Sequence, residues 1–198
     1  MKLAILFVLL CLSDSSYGRP APAAGVADTA KAHPMIDAVR VTNPIKIDGI
    51  LSEAEWQRRG LTDFTQRDPV EGAQPTQRTE VWLAYDDEAL YVAARMYDTH
   101  PDSIVSRIGR RDADLNADWF YVGIDSYHDH RTGFYFGVYA SGAISDGILF
   151  NDSWDDNSWD GVWDAPVWPK IDPQRQDRRY RVASFMACEH PSWLSQRT

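Results

Sequence analysis

Apolar and polar positions alternate with period two through the middle of the chain, and this pattern predicts β-strands. Thr79–Tyr85 (TEVWLAY) places Val81, Leu83 and Tyr85 on one face, and 89–97 (ALYVAARMY) places Leu90, Val92, Ala94 and Met96 on one face. Asp86, Asp87 and Glu88 between them form a turn, so the two strands make a hairpin. Trp119–Ile124 (WFYVGI) alternates Phe120, Val122 and Ile124 against Trp119, Tyr121 and Gly123. Likewise 133–139 (GFYFGVY) alternates Phe134, Phe136 and Val138 against Tyr135, Gly137 and Tyr139, and the polar stretch 126–132 joins the two as a second hairpin. Ser141 and Gly142 then turn the chain into a third strand over 143–150, and only 52–59 has helical character. Short strands at regular turn spacing predict an all-β fold, an antiparallel, jelly-roll-like β-sandwich; an open barrel of the same strands satisfies the same pattern.

The two ends read differently. Met1 and Lys2 are followed by an apolar run over 3–12 and by small polar residues to Gly18, the three parts of a secretory signal peptide over 1–18. The run is shorter than the roughly 20 residues that span a bilayer. Residues 19–37, rich in Ala, Pro and Gly without apolar period, read as a flexible linker, and 38–168 suffices for one domain. Beyond Trp168 the chain becomes basic and irregular to Thr198, and a final strand is missing or disguised, 180–185 (YRVASF) being the only later stretch with strand character. The expected location is secreted or periplasmic, or associated with the outer membrane.

Composition narrows the partners. The net charge of -9 argues against nucleic acid, because phosphate binding needs a basic face. Of the 2 cysteines, Cys11 lies in the leader and only Cys188 remains after it, so the core must hold by packing, as an expected monomer. No nucleophile elbow, phosphate loop or dinucleotide-binding glycine pattern is present, and the many carboxylates cannot be paired as glycosidase acids from sequence, so catalysis has little support.

Candidate chemistry gathers in 151–168 (NDSWDDNSWDGVWDAPVW), where tryptophans interleave with aspartates. A flat indole matches the C–H face of a pyranose, and neighbouring carboxylates accept hydrogen bonds from its hydroxyls. Trp154 and Trp159, with Trp119 and Tyr97 as further candidates, are therefore expected to contact a glycan, while other indoles of the segment close the core. Asp152, Asp155, Asp156 and Asp160 are the candidate ligands of a structural calcium ion, a hard cation that takes several oxygens from flexible loops. His128-Asp129-His130 lacks a third metal ligand in sequence and reads as a solvated turn.

Ile47-Asp48-Gly49-Ile50-Leu51-Ser52-Glu53-Ala54-Glu55-Trp56 resembles the opening signature of the family 9 carbohydrate-binding domains. The match continues through Thr79-Glu80-Val81, Tyr85-Asp86-Asp87, Ala89-Leu90-Tyr91-Val92, Asp98, Arg111-Asp112, Ile124-Asp125, Asp129-x-Arg131 and Trp159-Asp160-x-x-Trp163, covering about 39–165. It is similar in particular to the variant at the N-terminus of exported bacterial proteins that end in an outer-membrane barrel. The resemblance implies a β-sandwich that binds carbohydrate through aromatic side chains, structural metal ions in some members, and association with carbohydrate catabolism without being the catalyst. The alternatives are a structural domain of a barrel protein with no sugar ligand, or an accessory part of a glycoside hydrolase. After Ala165 the sequence departs from the family, which implies a fragment or a frameshifted end of a longer protein.

Overall fold

A computed structural model describes the backbone of residues 3–8, 34–151, 154–168 and 180–187, and the side chains of 34–151 and 154–166. Two sheets face one another. The first has the strand order β1-β5-β6-β7-β8, built from β1 (Leu3–Val8), β5 (Trp119–Ile124), β6 (Thr132–Tyr139), β7 (Ile144–Phe150) and β8 (Trp154–Asp156). The second has the order β10-β11-β4-β3-β2, built from β2 (Ala38–Arg40), β3 (Thr79–Tyr85), β4 (Leu90–Tyr97), β10 (Val167–Trp168) and β11 (Tyr180–Ala187), with β9 (Trp163–Asp164) also paired to β11. All pairings are antiparallel except at two edges, where β1 runs parallel to β5 and β2 runs parallel to β3.

The two expected hairpins and the third strand form, with β5 to β8 as a continuous meander. The 86–88 turn is closed by the Asp86 carboxylate, which accepts from the amides of Glu88 and Ala89 and from the Tyr91 hydroxyl. Alternation then divides the burial. Val81, Leu83, Leu90, Val92 and Ala94 from one sheet meet Phe120, Val122, Ile124, Phe136 and Val138 from the other, and Trp163 and Ala165 join this core.

The opposite face of β3 and β4 is covered too. Trp82, Ala84, Tyr91 and Ala93 pack against Val41, Ile45, Leu51, Trp56 and Ala89 in a second apolar cluster. Arg58 fastens this cover by donating to the carbonyls of Leu83 and Asp37, while the Trp82 indole donates to the Arg58 carbonyl. The Ile47–Trp56 signature is thus a cover for the sheet. Its expected helix over 52–59 shrinks to one 3-10 turn, Ala54–Trp56, because Trp56 must turn inward onto the sheet.

Both ends add a strand to the sheets. Within the tail expected to be irregular, Tyr180–Ala187 forms β11 and pairs antiparallel with all of β4, from Tyr180 against Tyr97 to Ala187 against Leu90. The strand missing from the sequence pattern is therefore supplied from that tail. Arg181 and Ser184 break the apolar period, which hid it. Within the stretch read as a leader, Leu3–Val8 forms β1 along β5, covering an edge that otherwise presents unpaired amides and carbonyls. The proposed cleavage region, most of the linker, both cysteines and 169–179 lie outside the described residues. No helix among the described residues is long and apolar enough to cross a membrane.

Candidate functional site

The alternation that sends Phe120, Phe136 and Val138 into the core sends Trp119, Tyr121, Tyr135 and Tyr139 to the outer face of the first sheet. There they form a connected aromatic group. Trp119 stacks on its register partner Tyr139 with centroids 5.5 Å apart and planes inclined by 15°, and Tyr121 stacks on Tyr135 at 5.4 Å and 19°. Trp119 meets Tyr121 edge to face at 5.2 Å and 68°. Tyr135 and Tyr139 are buried and Trp119 and Tyr121 half-buried, so the accessible surface is a corner of two rings nearly at right angles, backed by two more.

Glycine lets these rings lie close to the sheet. A Cβ at Gly137 would stand 2.8 Å from the Trp119 ring, and one at Gly147 would stand 2.6 Å from the ring of Tyr135. Any larger residue would lift the rings and break the corner. Asp155 belongs to the same face: Gly147 pairs with Tyr135, Leu149 lies two residues on, and Leu149 pairs with Asp155. Burial pushes the Tyr121 phenol above its ordinary range, and Tyr135 and Asp155 push it the same way. Burial also raises Tyr135, with Asp155 adding to it and a hydrogen bond to Ser145 opposing it. Both phenols stay protonated at neutral pH, each able to donate and accept a hydrogen bond.

The candidate residues of the tryptophan–aspartate segment do not gather in one place. Trp154 on β8 is 66% exposed, whereas Trp159 packs against Phe134 at 4.9 Å and against Phe136 at 6.2 Å, inside the sandwich. Trp163 meets Phe136 at 5.3 Å in the same core. Tyr97 is on the other sheet, with the Arg78 guanidinium 4.9 Å above its ring. Of the four aromatic candidates, only Trp119 sits in the ring corner. Its companions Tyr121, Tyr135 and Tyr139 were visible in the sequence as the aromatic half of two alternating strands.

The aspartates also separate. Asp152 lies outside the described residues, and Asp155 and Asp156, adjacent on β8, point to opposite faces. Asp156 closes a local turn by accepting from the Ser158 amide. Asp160 instead joins Asp112 and Asp146, whose carboxylate oxygens lie within 4.8 Å of one another. A guanidinium already sits among these three. Arg111 donates to Asp146 Oδ1 through Nε at 2.9 Å and Nη2 at 2.6 Å, and its Nε is 3.0 Å from Asp160 and 3.6 Å from Asp112. It also donates to the Gly161 carbonyl, while the Gly161 amide donates to Asp146 Oδ2 and the Asp146 amide donates to Asp112. Of the residues expected to hold calcium, Asp155, Asp156 and Asp160 are therefore not brought together, and the three carboxylates that do converge share the single Arg111 guanidinium. A melting curve in chelator should match one in millimolar calcium to within about a degree, since the Arg111 guanidinium already lies between these carboxylates; a drop of several degrees would show that a cation shares the cluster.

His128-Asp129-His130 is a turn, as read from sequence. Asp125 accepts from the amides of Asp129 and His130, and Asp129 accepts from the amides of Arg131 and Thr132 and from the Thr132 hydroxyl. His128 and His130 both have left-handed backbone, at φ 53° and 56°, and their rings lie 4.7 Å apart.

No protein-family model matches the chain, and no curated protein matches it. The chain is similar to two solved structures of a family 9 carbohydrate-binding module from Caldicellulosiruptor kristjanssonii. With the complex containing cellotriose the identity is 17%, the TM-score 0.49, and the match covers 77% of this chain and 67% of that chain. With the complex containing glucose the identity is 17%, the TM-score 0.49, and the coverage 79% and 70%.

Proposed function

We propose that this chain binds carbohydrate on the outer face of the first sheet, with Trp119 and Tyr121 as the contacting rings. The observation that carries this reading is the ring corner itself: two half-buried rings inclined by 68°, backed by stacked tyrosines. One ring offers a flat face to the C–H surface of a pyranose and the other closes on its edge, while the tyrosine hydroxyls and Asp155 supply hydrogen bonds to sugar hydroxyls. The backing rings restrict motion, so little side-chain freedom is lost on binding. Within this reading the stretch 1–18 acts as a leader that directs the domain to the periplasm or beyond and, while attached, lays Leu3–Val8 along β5; there the domain serves polysaccharide breakdown by holding the glycan.

The test is a titration of tryptophan fluorescence with xylan and cello-oligosaccharides. Trp119→Ala should weaken binding by about 2 kcal/mol, roughly thirtyfold, as expected for a central aromatic contact. Trp154→Ala should leave affinity unchanged, because its exposed ring stands on the other face of β8. Loss of binding in Trp154→Ala alone would move the site to β8. No response of the unmodified chain at millimolar sugar would remove the carbohydrate reading and favour a structural domain of a larger outer-membrane protein.

A further inference from the structure

We propose that Asp155 makes the ring corner selective for uncharged sugars over uronates. The inference rests on the carbohydrate reading and adds to it the charge class of the ligand. Asp155 differs from the carboxylates that converge on Arg111. Asp112, Asp146 and Asp160 share the Arg111 guanidinium. Asp155 is exposed, and none of the ion pairs among the described residues includes it.

Its position follows from strand register. Tyr135 pairs with Gly147 and Leu149 pairs with Asp155, so the carboxylate rises on the face that carries Tyr135 and, stacked on it, Tyr121. Trp154 and Asp156, its neighbours in sequence, are turned to the opposite face. A sugar seated against Tyr121 therefore meets a negative charge that no ion pair among the described residues compensates. Hydroxyl groups of a neutral sugar donate to it, whereas the C6 carboxylate of a uronate, ionised at neutral pH, is repelled. The repulsion acts at an exposed rim, so it weakens as salt is added.

The experiment compares the full chain with Asp155→Asn, titrated with cello-oligosaccharides and with the same oligosaccharides oxidised at C6 to uronates. At about 10 mM salt, where screening is weak, the unmodified chain should bind the neutral series about tenfold more tightly. In Asp155→Asn the gap should shrink to about twofold, the uronates binding more tightly and the neutral series somewhat more weakly as the charged acceptor for a sugar hydroxyl is lost, with the melting midpoint preserved because Asp155 is exposed. Equal affinity of the unmodified chain for both series, or an undiminished gap in Asp155→Asn, would overturn the role of Asp155 while leaving the ring corner standing. Failure of both proteins to bind either series would overturn the ring corner, and the inference with it.

Discussion

Arg111→Ala should lower the melting midpoint by on the order of 10 °C, the largest expected effect of any single substitution outside the apolar core. Asp146 has a side chain of 0% exposure, and its two oxygens are satisfied by Arg111 and by the Gly161 amide. Removing the guanidinium leaves a buried carboxylate facing Asp112 and Asp160 with no cation between them. Breaking such a pair costs about 3–5 kcal/mol, and the lower end applies because the Arg111 side chain is 34% exposed and Asp160 is 70% exposed. A domain has only about 5–15 kcal/mol in total, so a loss of about 3 kcal/mol is a large share of it. Arg111→Lys keeps the charge but cannot reach Asp146, Asp160 and the Gly161 carbonyl together, and should fall between the two. Thermal unfolding followed by circular dichroism decides the matter. A midpoint for Arg111→Ala within a degree of the unmodified chain would show that water, not the guanidinium, satisfies Asp146.

Truncation after Asp177 should abolish cooperative folding. The deleted segment contains β11, which pairs with β4 over eight residues and on its other side holds β9 and β10. Each backbone hydrogen bond contributes a net stabilisation of about 1 kcal/mol. The lost ladder is therefore comparable with the whole stability of a domain. The loss also bares the edge of β4, whose Leu90, Val92 and Ala94 belong to the core, and an open apolar edge is a template for aggregation. Precipitation, or a broad transition at lower temperature, is the expected result. An unchanged melting curve would show that residues 178–198 contribute nothing to the sheet.

These two predictions concern features that the sequence showed unequally. The hairpins β3–β4 and β5–β6 were legible because a strand half-buried on one face leaves a strict alternation, and the alternation fixed which residues share a face. Hence Phe120, Val122 and Ile124 were separable from Trp119 and Tyr121 before any pairing was known. The strand β11 was only partly legible: 180–185 showed strand character, but Arg181 and Ser184 interrupt the apolar run and left open whether it pairs with the sheet. An all-β fold was predictable from the turn spacing, with a sandwich and an open barrel both satisfying it, but not which hairpin joins which sheet.

For the candidate site, composition pointed to 151–168, and the fold placed most of that chemistry elsewhere. Trp159 and Trp163 entered the core and Trp154 stayed in solvent, though all three look alike in sequence. The ring corner arises instead from Trp119 and Tyr121 on β5 and from Tyr135 and Tyr139 on β6, brought side by side by the hairpin register.

The sequence by itself determined the strands, their faces and the aromatic character of one of those faces, because alternation is a local consequence of backbone geometry and needs no distant partner. Only the tertiary structure decided which aromatic face would be covered and which left partly open, that Asp155 and Asp156 would part while Asp160 joined residues far back in the chain, and that Arg111 would meet Asp146. Convergence of that kind depends on sheet order and on the crossing of loops between strands, and no spacing along the chain encodes how two segments more than thirty residues apart will be laid together.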